Sequence, residues 1–482
     1  MRTLWSWLAA RRELLLLAVF AAILAWQLLL PGFIGIANNG DFSKVSGRWC
    51  IAVTDDEGNE HFYFQSVYAR RAGSCWDSEM PSSEVALAWL ATSLQTLVGD
   101  PARFDIRWLG ALHAAGFLFA FWLWIRLLRP VPGFAWLSIA AVAVVVFADT
   151  GNVAYANTFY TDTAALIGAM AAVPAAVLLA RERRPLWLLL FIAAALLFVA
   201  SKAQHAVFAV IPAVFLLAMA LCAGERKFRI AAMIAAIGIP AAAGWVLAAT
   251  PAWYFQVNRF NVEFHRILPS AAAPPAEARE LGISPADLQY SGMHSFQRDS
   301  PMVNPDWLRH FDSTSSTWRL LKFYLRRPGQ TIAFLRQNLI EDARSRRSTD
   351  LGNFRREAGH PASALSQRFG LWDFVRSWMF RQWPWHIVVW YALLIFGAPV
   401  RLLRESNRER RAILWTVWGI ALAGAGEFCM ASLADALDTG RHLLLFHVFT
   451  DCTFLLGLVL VSGNRANGRG SAQSPEPPRS AA

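Results

Sequence analysis

About ten runs of mostly apolar residues punctuate the chain, at 13–37, 108–128, 134–149, 163–180, 186–200, 203–222, 230–249, 385–403, 412–433 and 442–461, each closed by Arg, Pro or a polar cluster. A helix needs roughly 17 to 25 such residues to cross a bilayer, where no water is present and backbone amides must pair within their own segment. Few other architectures accept that pattern. With 56% of its 482 residues hydrophobic and 16% charged, the chain has too little charge to cover a soluble particle of this length. It is too apolar for a disordered polar chain and too long for a small disulfide-stapled domain. The expected fold class is an all-α polytopic membrane protein of about ten transmembrane helices.

A net charge of +11 could suggest nucleic acid until the basic residues are sorted by side. Connections after alternate spans carry Arg126 and Arg129, then Arg181, Arg183 and Arg184, then Arg226, Lys227 and Arg229, then Arg401 through Arg411, with Arg2, Arg11 and Arg12 at the start. The short connections on the other side hold only Lys202 and Arg441. The positive-inside rule puts both termini in the cytoplasm and leaves no surplus charge that calls for nucleic acid. The first apolar run is too long for a cleavable signal and lacks a small-x-small site, so it is expected to stay as a helix. The organisation predicted is an N-terminal membrane module (1–249, seven spans, with an outer loop at 38–107), an extracytoplasmic segment (250–384), and a C-terminal module of three spans (385–461). A tail at 462–482, rich in Gly, Ser, Pro and Ala, is expected to be disordered and cytoplasmic. Cys50 and Cys75 share the first outer loop, where an oxidising compartment would let them pair. Cys222, Cys429 and Cys452 lie in or beside spans as small apolar fillers, and no Cys/His spacing reads as a zinc site.

Polar groups at the outer ends of spans are informative, because an ionisable side chain near hydrocarbon is costly unless paired, hydrated or functional. Asn38-Asn39-Gly40-Asp41-Phe42 follows the first span; Asp41 either caps the next short helix or presents its carboxylate at the membrane surface. Asn157-Thr158-Phe159-Tyr160-Thr161-Asp162 precedes the fourth span, and Asp162 alone reads as a helix cap. Together the two carboxylates could converge and hold a hydroxyl for deprotonation. Ser201-Lys202-Ala203-Gln204-His205 and Asp438-Thr439-Gly440-Arg441-His442 supply fixed positive charge at outer turns, suited to a lipid phosphate, to phospholipid headgroups or to pairing with Asp435 or Asp438. His447 and Asp451, four residues apart in the last span, read as a buried pair, and Glu427 would couple protons if the chain were a transporter. In the large outer segment, 317–325 and 329–343 have the rhythm of amphipathic helices on a membrane surface, and Arg344, Arg346 and Arg347 form a basic face for anionic lipid or for a diphosphate or acidic glycan. Trp372, Trp378, Trp383 and Trp385 form an interfacial belt.

These motifs resemble the polyprenyl-phosphate-dependent membrane glycosyltransferases of the GT-C superfamily. More narrowly, the 38–42, 157–162 and 261–268 runs, Leu281-Gly282-Ile283, and the stretch from Asp438 to Asp451 resemble bacterial glycan-biosynthesis hexose transferases of the WsfD type. The resemblance implies a GT-C-like fold with two large extracytoplasmic loops in a bacterial inner membrane, and inverting transfer of a sugar from a polyprenyl-phosphate carrier to a glycan or lipid acceptor on the outer face. It implies Asp41 as base and Asp162 as second acidic residue, with Asn39, Tyr160, Lys202, His205, Arg441 and His442 binding substrate. Membrane lipids and the lipid-linked sugar are the expected partners. No cofactor beyond that donor is called for, and a divalent metal is left open. The competing expectation is a secondary transporter or flippase of a lipid-linked glycan, which would place its ionisable residues near mid-membrane.

Overall fold

The computed structural model describes residues 2–52, 59–71, 75, 80–345 and 350–469. Each expected apolar run is helical over most of its length. Among the described residues seven helices are long and apolar enough to cross a membrane, and eight are if a bent pair counts as one span. The protein is a multi-pass membrane protein. Three of the ten expected spans, 13–37, 134–149 and 186–200, are not among those seven. The run at 134–149 forms Gly133–Phe147 and then breaks, bending 47° into Thr150–Asn157. Asp149 stops the first helix and caps the second piece, accepting a hydrogen bond from the Gly151 amide at 2.8 Å. The run at 186–200 gives Pro185–Val199, only 15 residues long.

The first helix, Arg2–Leu28, ends well before residue 37. Pro31 cannot continue the amide ladder, and Gly32 takes a φ of +79°, a region open to glycine because it has no Cβ. Residues 33–37 then run as buried extended chain. At the other end the last helix, Leu444–Arg469, carries the chain beyond the predicted start of the tail, and 470–482 lie outside the described residues.

The hub of the membrane part is the Asp162–Glu182 helix, almost wholly buried and packed against Arg107–Leu128, Pro185–Val199, Arg408–Leu433 and Leu444–Arg469. Its sequence is rich in Ala and includes Gly168, which lets neighbouring backbones approach where no hydrophobic effect drives helices together. At Gly168 a Cβ would lie 2.6 Å from the Phe198 amide nitrogen and 2.8 Å from the Ala194 carbonyl oxygen. The outer end of this helix carries Asp162.

The two long segments between apolar runs, 38–107 and 250–384, are not loose loops. Residues 38–107 contain a three-stranded antiparallel sheet, β1 (Ile51–Ala52), β2 (Val67–Arg70) and β3 (Arg103–Asp105), in that order, with Tyr68 opposite Phe104. The all-α expectation is corrected there: short stretches with aromatic and branched side chains against one buried face favour strand pairing. Cys50 is disulfide-bonded to Cys75. The second segment builds its own core from Phe260, Phe264, Leu281, Phe311, Phe323 and Phe334. The amphipathic helices are Thr317–Arg326 and Pro328–Glu341. In the first of them Leu320, Phe323 and Tyr324 face the protein, while Trp318, Leu321 and Leu325 form an exposed apolar stripe. The two outer segments interlock through backbone bonds, the Ala37 amide donating to the Gly352 carbonyl at 2.9 Å and the Phe64 amide to the Phe354 carbonyl at 3.0 Å.

Because both atoms that meet a Cβ at residue 168 belong to backbone, Gly168→Ala has to move a helix. It is expected to cost about 1–3 kcal/mol, read as a lower Tm of the detergent-solubilised protein; an unchanged Tm would mean the helix pair is looser than its packing indicates.

Candidate functional site

The chain after the first helix is aimed by its own side chains. The Asn38 side-chain oxygen accepts from the amides of Gly40 (2.8 Å) and Phe42 (3.2 Å), and that of Asn39 from the amide of Asp41 (3.2 Å). This is an Asx-turn geometry, and Gly40 supplies its φ of +100°. The 157–162 run then clamps the turn from behind. Asn157 donates to the carbonyls of Leu28 (3.0 Å) and Ile34 (2.7 Å), filling space that only Gly110 leaves open. The Tyr160 hydroxyl donates to the Ala37 carbonyl (2.8 Å) and accepts from the Asn39 amide (3.1 Å).

Neither carboxylate serves as a helix cap: the side chains of Asp41 and Asp162 make no capping bond at the helices that follow them. Both meet Arg441 instead. Its guanidinium places NH2 2.7 Å from Asp41, NH1 3.2 Å from Asp162 and Nε 2.7 Å from Asp438, and lies 4.6 Å over the Tyr160 ring. Lys202 donates to the other oxygen of Asp162 at 2.6 Å, and Lys44 to the other oxygen of Asp41 at 2.6 Å. Three carboxylates and three cations thus form one charge-balanced chain, which is how charges survive burial. Burial pushes the Asp41 carboxyl up, but Lys44 and Arg441 outweigh it and hold it well below the usual carboxylate range. Exposure separates the two acids: the Asp41 side chain keeps 27% of its surface, Asp162 only 3%. Asp41 can be reached from outside. Asp162 can act only through Lys202 and Arg441.

His442 places Nε2 2.9 Å from Asp435 and Nδ1 3.4 Å from the Lys202 ammonium. Lysine only donates, so Nδ1 accepts and the ring proton on Nε2 points to Asp435. Burial raises the Asp435 carboxyl, but His442 and backbone amides bring it down to about 2. The Asn39 amide group donates to Asp438 at 3.1 Å. His205 is buried behind Lys202, bonded to the Ser201 hydroxyl at 2.6 Å and 3.8 Å from Glu427, which also accepts from Gln204 at 2.9 Å. Of the residues expected to bind substrate, Asn39, Arg441 and His442 therefore gather round Asp41, Lys202 bridges inward, and Tyr160 and His205 are fully buried supports. His447 and Asp451 are joined by a third residue that sequence spacing did not indicate, Arg376, whose guanidinium bonds Asp451 and, at 2.9 Å, His447.

A cleft of about 860 Å³ is bordered by the 438–440 turn. Asp438, Thr439 and Gly440 form its inner wall, with Arg266, Asn338 and Arg344 among the other lining residues. Arg346 and Arg347 lie outside the described residues. Sequence reasoning gave no role to Lys44 or Arg266; the spacing of Lys44, three residues after Asp41, was a usable signal, whereas Arg266 had none, because its position depends on how the 250–384 segment folds back. Among the described residues no group of three or more His, Cys, Asp or Glu side chains is arranged to hold a metal ion.

Removing the Asp162 charge strands Lys202 in a buried position. Asp162→Asn is expected to destabilise the protein by about 3–5 kcal/mol, and Asp41→Asn, at a partly exposed site, by clearly less; thermal unfolding of the two variants in detergent separates them. Equal stability would remove the supporting role given to Asp162.

Three comparisons bear on the family. No curated protein matches this chain. Among solved structures it is similar to the archaeal oligosaccharyltransferase AglB from Archaeoglobus fulgidus, solved in complex with an inhibitory peptide and a dolichol-phosphate, at a TM-score of 0.39 and 11% identity. That match covers 98% of this chain and 53% of AglB, so the chain spans about half the length of that enzyme. The family model described as the YfdI N-terminal transmembrane domain matches residues 3–474, and the chain belongs to that family.

Proposed function

We propose that this protein is an inverting glycosyltransferase, of the GT-C kind and similar to WsfD-type hexose transferases. It moves a sugar from a polyprenyl-phosphate carrier to a cell-surface glycan or lipid acceptor on the outer face of a bacterial inner membrane, with both termini cytoplasmic. The observation that carries this reading is a reachable carboxylate, Asp41, held in a built turn and bridged through one guanidinium to a buried carboxylate, Asp162. Large outer segments beside that group favour work done on one face of the membrane.

In the proposed step an acceptor hydroxyl oxygen attacks the anomeric carbon as the bond from that carbon to the phosphate oxygen breaks. Asp41 takes the hydroxyl proton, and the electron pair leaves with the polyprenyl phosphate. In the resting network Asp41 is too well stabilised as an anion to be a strong base. Arrival of the donor phosphate offers Arg441 another anion, and each contact that Arg441 gives up raises the proton affinity of Asp41. Binding and activation are then coupled. Asp162 and Lys202 keep Arg441 and His442 in place, while charge on the departing phosphate is met by the same cations.

Asp41→Asn is expected to abolish transfer of labelled sugar from polyprenyl-phosphate-sugar while leaving the membrane level of the protein unchanged; persisting transfer would show that another group takes the proton. The pH profile gives an independent check. A base must be ionised to work, so activity falls as pH drops through its pKa, and Lys44 and Arg441 hold that limb below about pH 4 in the free enzyme. Lys44→Gln removes one lowering influence and should move the acid limb of kcat/KM upward. An acid limb that stays put would detach it from Asp41.

A further inference from the structure

The cations expected to receive a phosphate, Lys202 and Arg441, are already neutralised by carboxylates. Arg266 is not. Its guanidinium is bonded to the Ser432 carbonyl and, at 3.1 Å, to the Thr439 hydroxyl, both neutral acceptors. Among the described residues no carboxylate lies within ion-pair distance of it; Asp435 and Asp342 act on it only from farther away. An Arg largely withdrawn from water with no counter-ion is costly, and that cost is offset when an anion arrives. The open side of Arg266 is the 860 Å³ cleft.

The backbone that carries Arg266 is itself unusual. Asn261–Ile267 is a π-helix, a rare form that lasts only where surroundings determine it. Here the Asn261 side chain accepts from the Ser295 amide at 2.8 Å, and the Ser315 hydroxyl donates to Glu263 at 2.7 Å. Gly282, at a φ of +85°, allows the neighbouring turn to press on Thr314, whose carbonyl oxygen would lie 2.1 Å from a Cβ. This is the 261–268 run with its Leu281-Gly282-Ile283 partner, which the carboxylate chemistry leaves without a role. Its effect is to deliver one guanidinium to the wall formed by Thr439, two residues from Arg441.

We infer that Arg266 is the anion anchor of the cleft and takes the phosphodiester that joins a sugar to its polyprenyl carrier, with Asn338 and Gln337 beside it positioned for sugar hydroxyls. The choice of this ligand rests on the glycosyl-transfer reading above. Charge limits the ligand as well. Glu341, Asp342, Asp350 and Asp438 also line the cleft beside Arg266 and Arg344, so a single negative charge is accommodated where a diphosphate would be repelled. Arg266 then supplies the standing charge that holds the donor, and Arg441, two residues along from Thr439, the exchangeable one.

The test is binding, measured apart from catalysis. Purified protein in lipid nanodiscs is titrated with a polyprenyl methyl phosphodiester, which carries one negative charge, and with the unphosphorylated polyprenol. The wild type should bind the phosphate form more tightly, and Arg266→Gln should weaken that binding by roughly ten- to a hundred-fold, the usual loss of a charge-assisted bidentate contact. Polyprenol binding should be unchanged, and Arg266→Lys should recover part of the loss. Equal affinity of wild type and Arg266→Gln for the phosphate form, or no preference of the wild type for phosphate over alcohol, overturns the assignment. A loss that Arg266→Lys shares in full, with a matching fall in Tm, overturns it as well, since it would be structural. Phosphate binding through Arg266 with no glycosidic bond ever formed would sink the enzymatic reading and keep this site; transfer that continues with Arg266→Gln binding donor normally would do the reverse.

Discussion

One face of this protein is organised around one guanidinium. Arg441 meets Asp41 from the first loop, Asp162 from the start of the central helix and Asp438 from its own turn, one nitrogen for each. Only a planar cation with donors on three sides can do this; a lysine ammonium has the charge but no fixed fork. Three segments far apart in sequence are thereby locked at one point. The lock is stabilising only as a complete set, because each buried charge is costly once its partner is gone.

That completeness ties fold to chemistry. Asp162 is placed by the close-packed central helix, Asp41 by the Asx turn that Tyr160 and Asn157 clamp, and Arg441 by a turn in which Asp438 adopts a left-handed φ of +52°. A non-glycine residue there is uncommon, though Asp tolerates it better than most. The geometry leaves one carboxylate reachable and the other sealed, so two acids that look alike in sequence have different work. Arg266 stands outside that ion-paired set, bonded to neutral acceptors.

Much of the candidate site was readable before any coordinates. Asp41, Asp162, Lys202 and Arg441 stood out because ionisable residues at the outer ends of apolar runs need a reason to be there, and the structure joins them in one network. Tyr160 and His205 were legible as polar residues beside the site, but not as buried supports, since exposure follows from packing rather than from position along the chain. Arg376 was missed between His447 and Asp451, and Arg266 lay inside a recognised run without a role. Both reach their partners across long sequence separations, about which local spacing carries no information.

The sequence by itself determined the solvent and the helices: apolar length and the one-sided distribution of Arg are local properties, and a bilayer imposes helix on any such run. Local chemistry also stops helices near Pro31 and at Asp149, although the span expected at 13–37 ran past Pro31. Tertiary structure alone decided the interlocking of the two outer segments, the π-helix at 261–267, and which charges neutralise one another. Those outcomes depend on distances between residues hundreds of positions apart, fixed only when the helices pack, and the energy of a charge depends on those distances far more than on its neighbours in the chain.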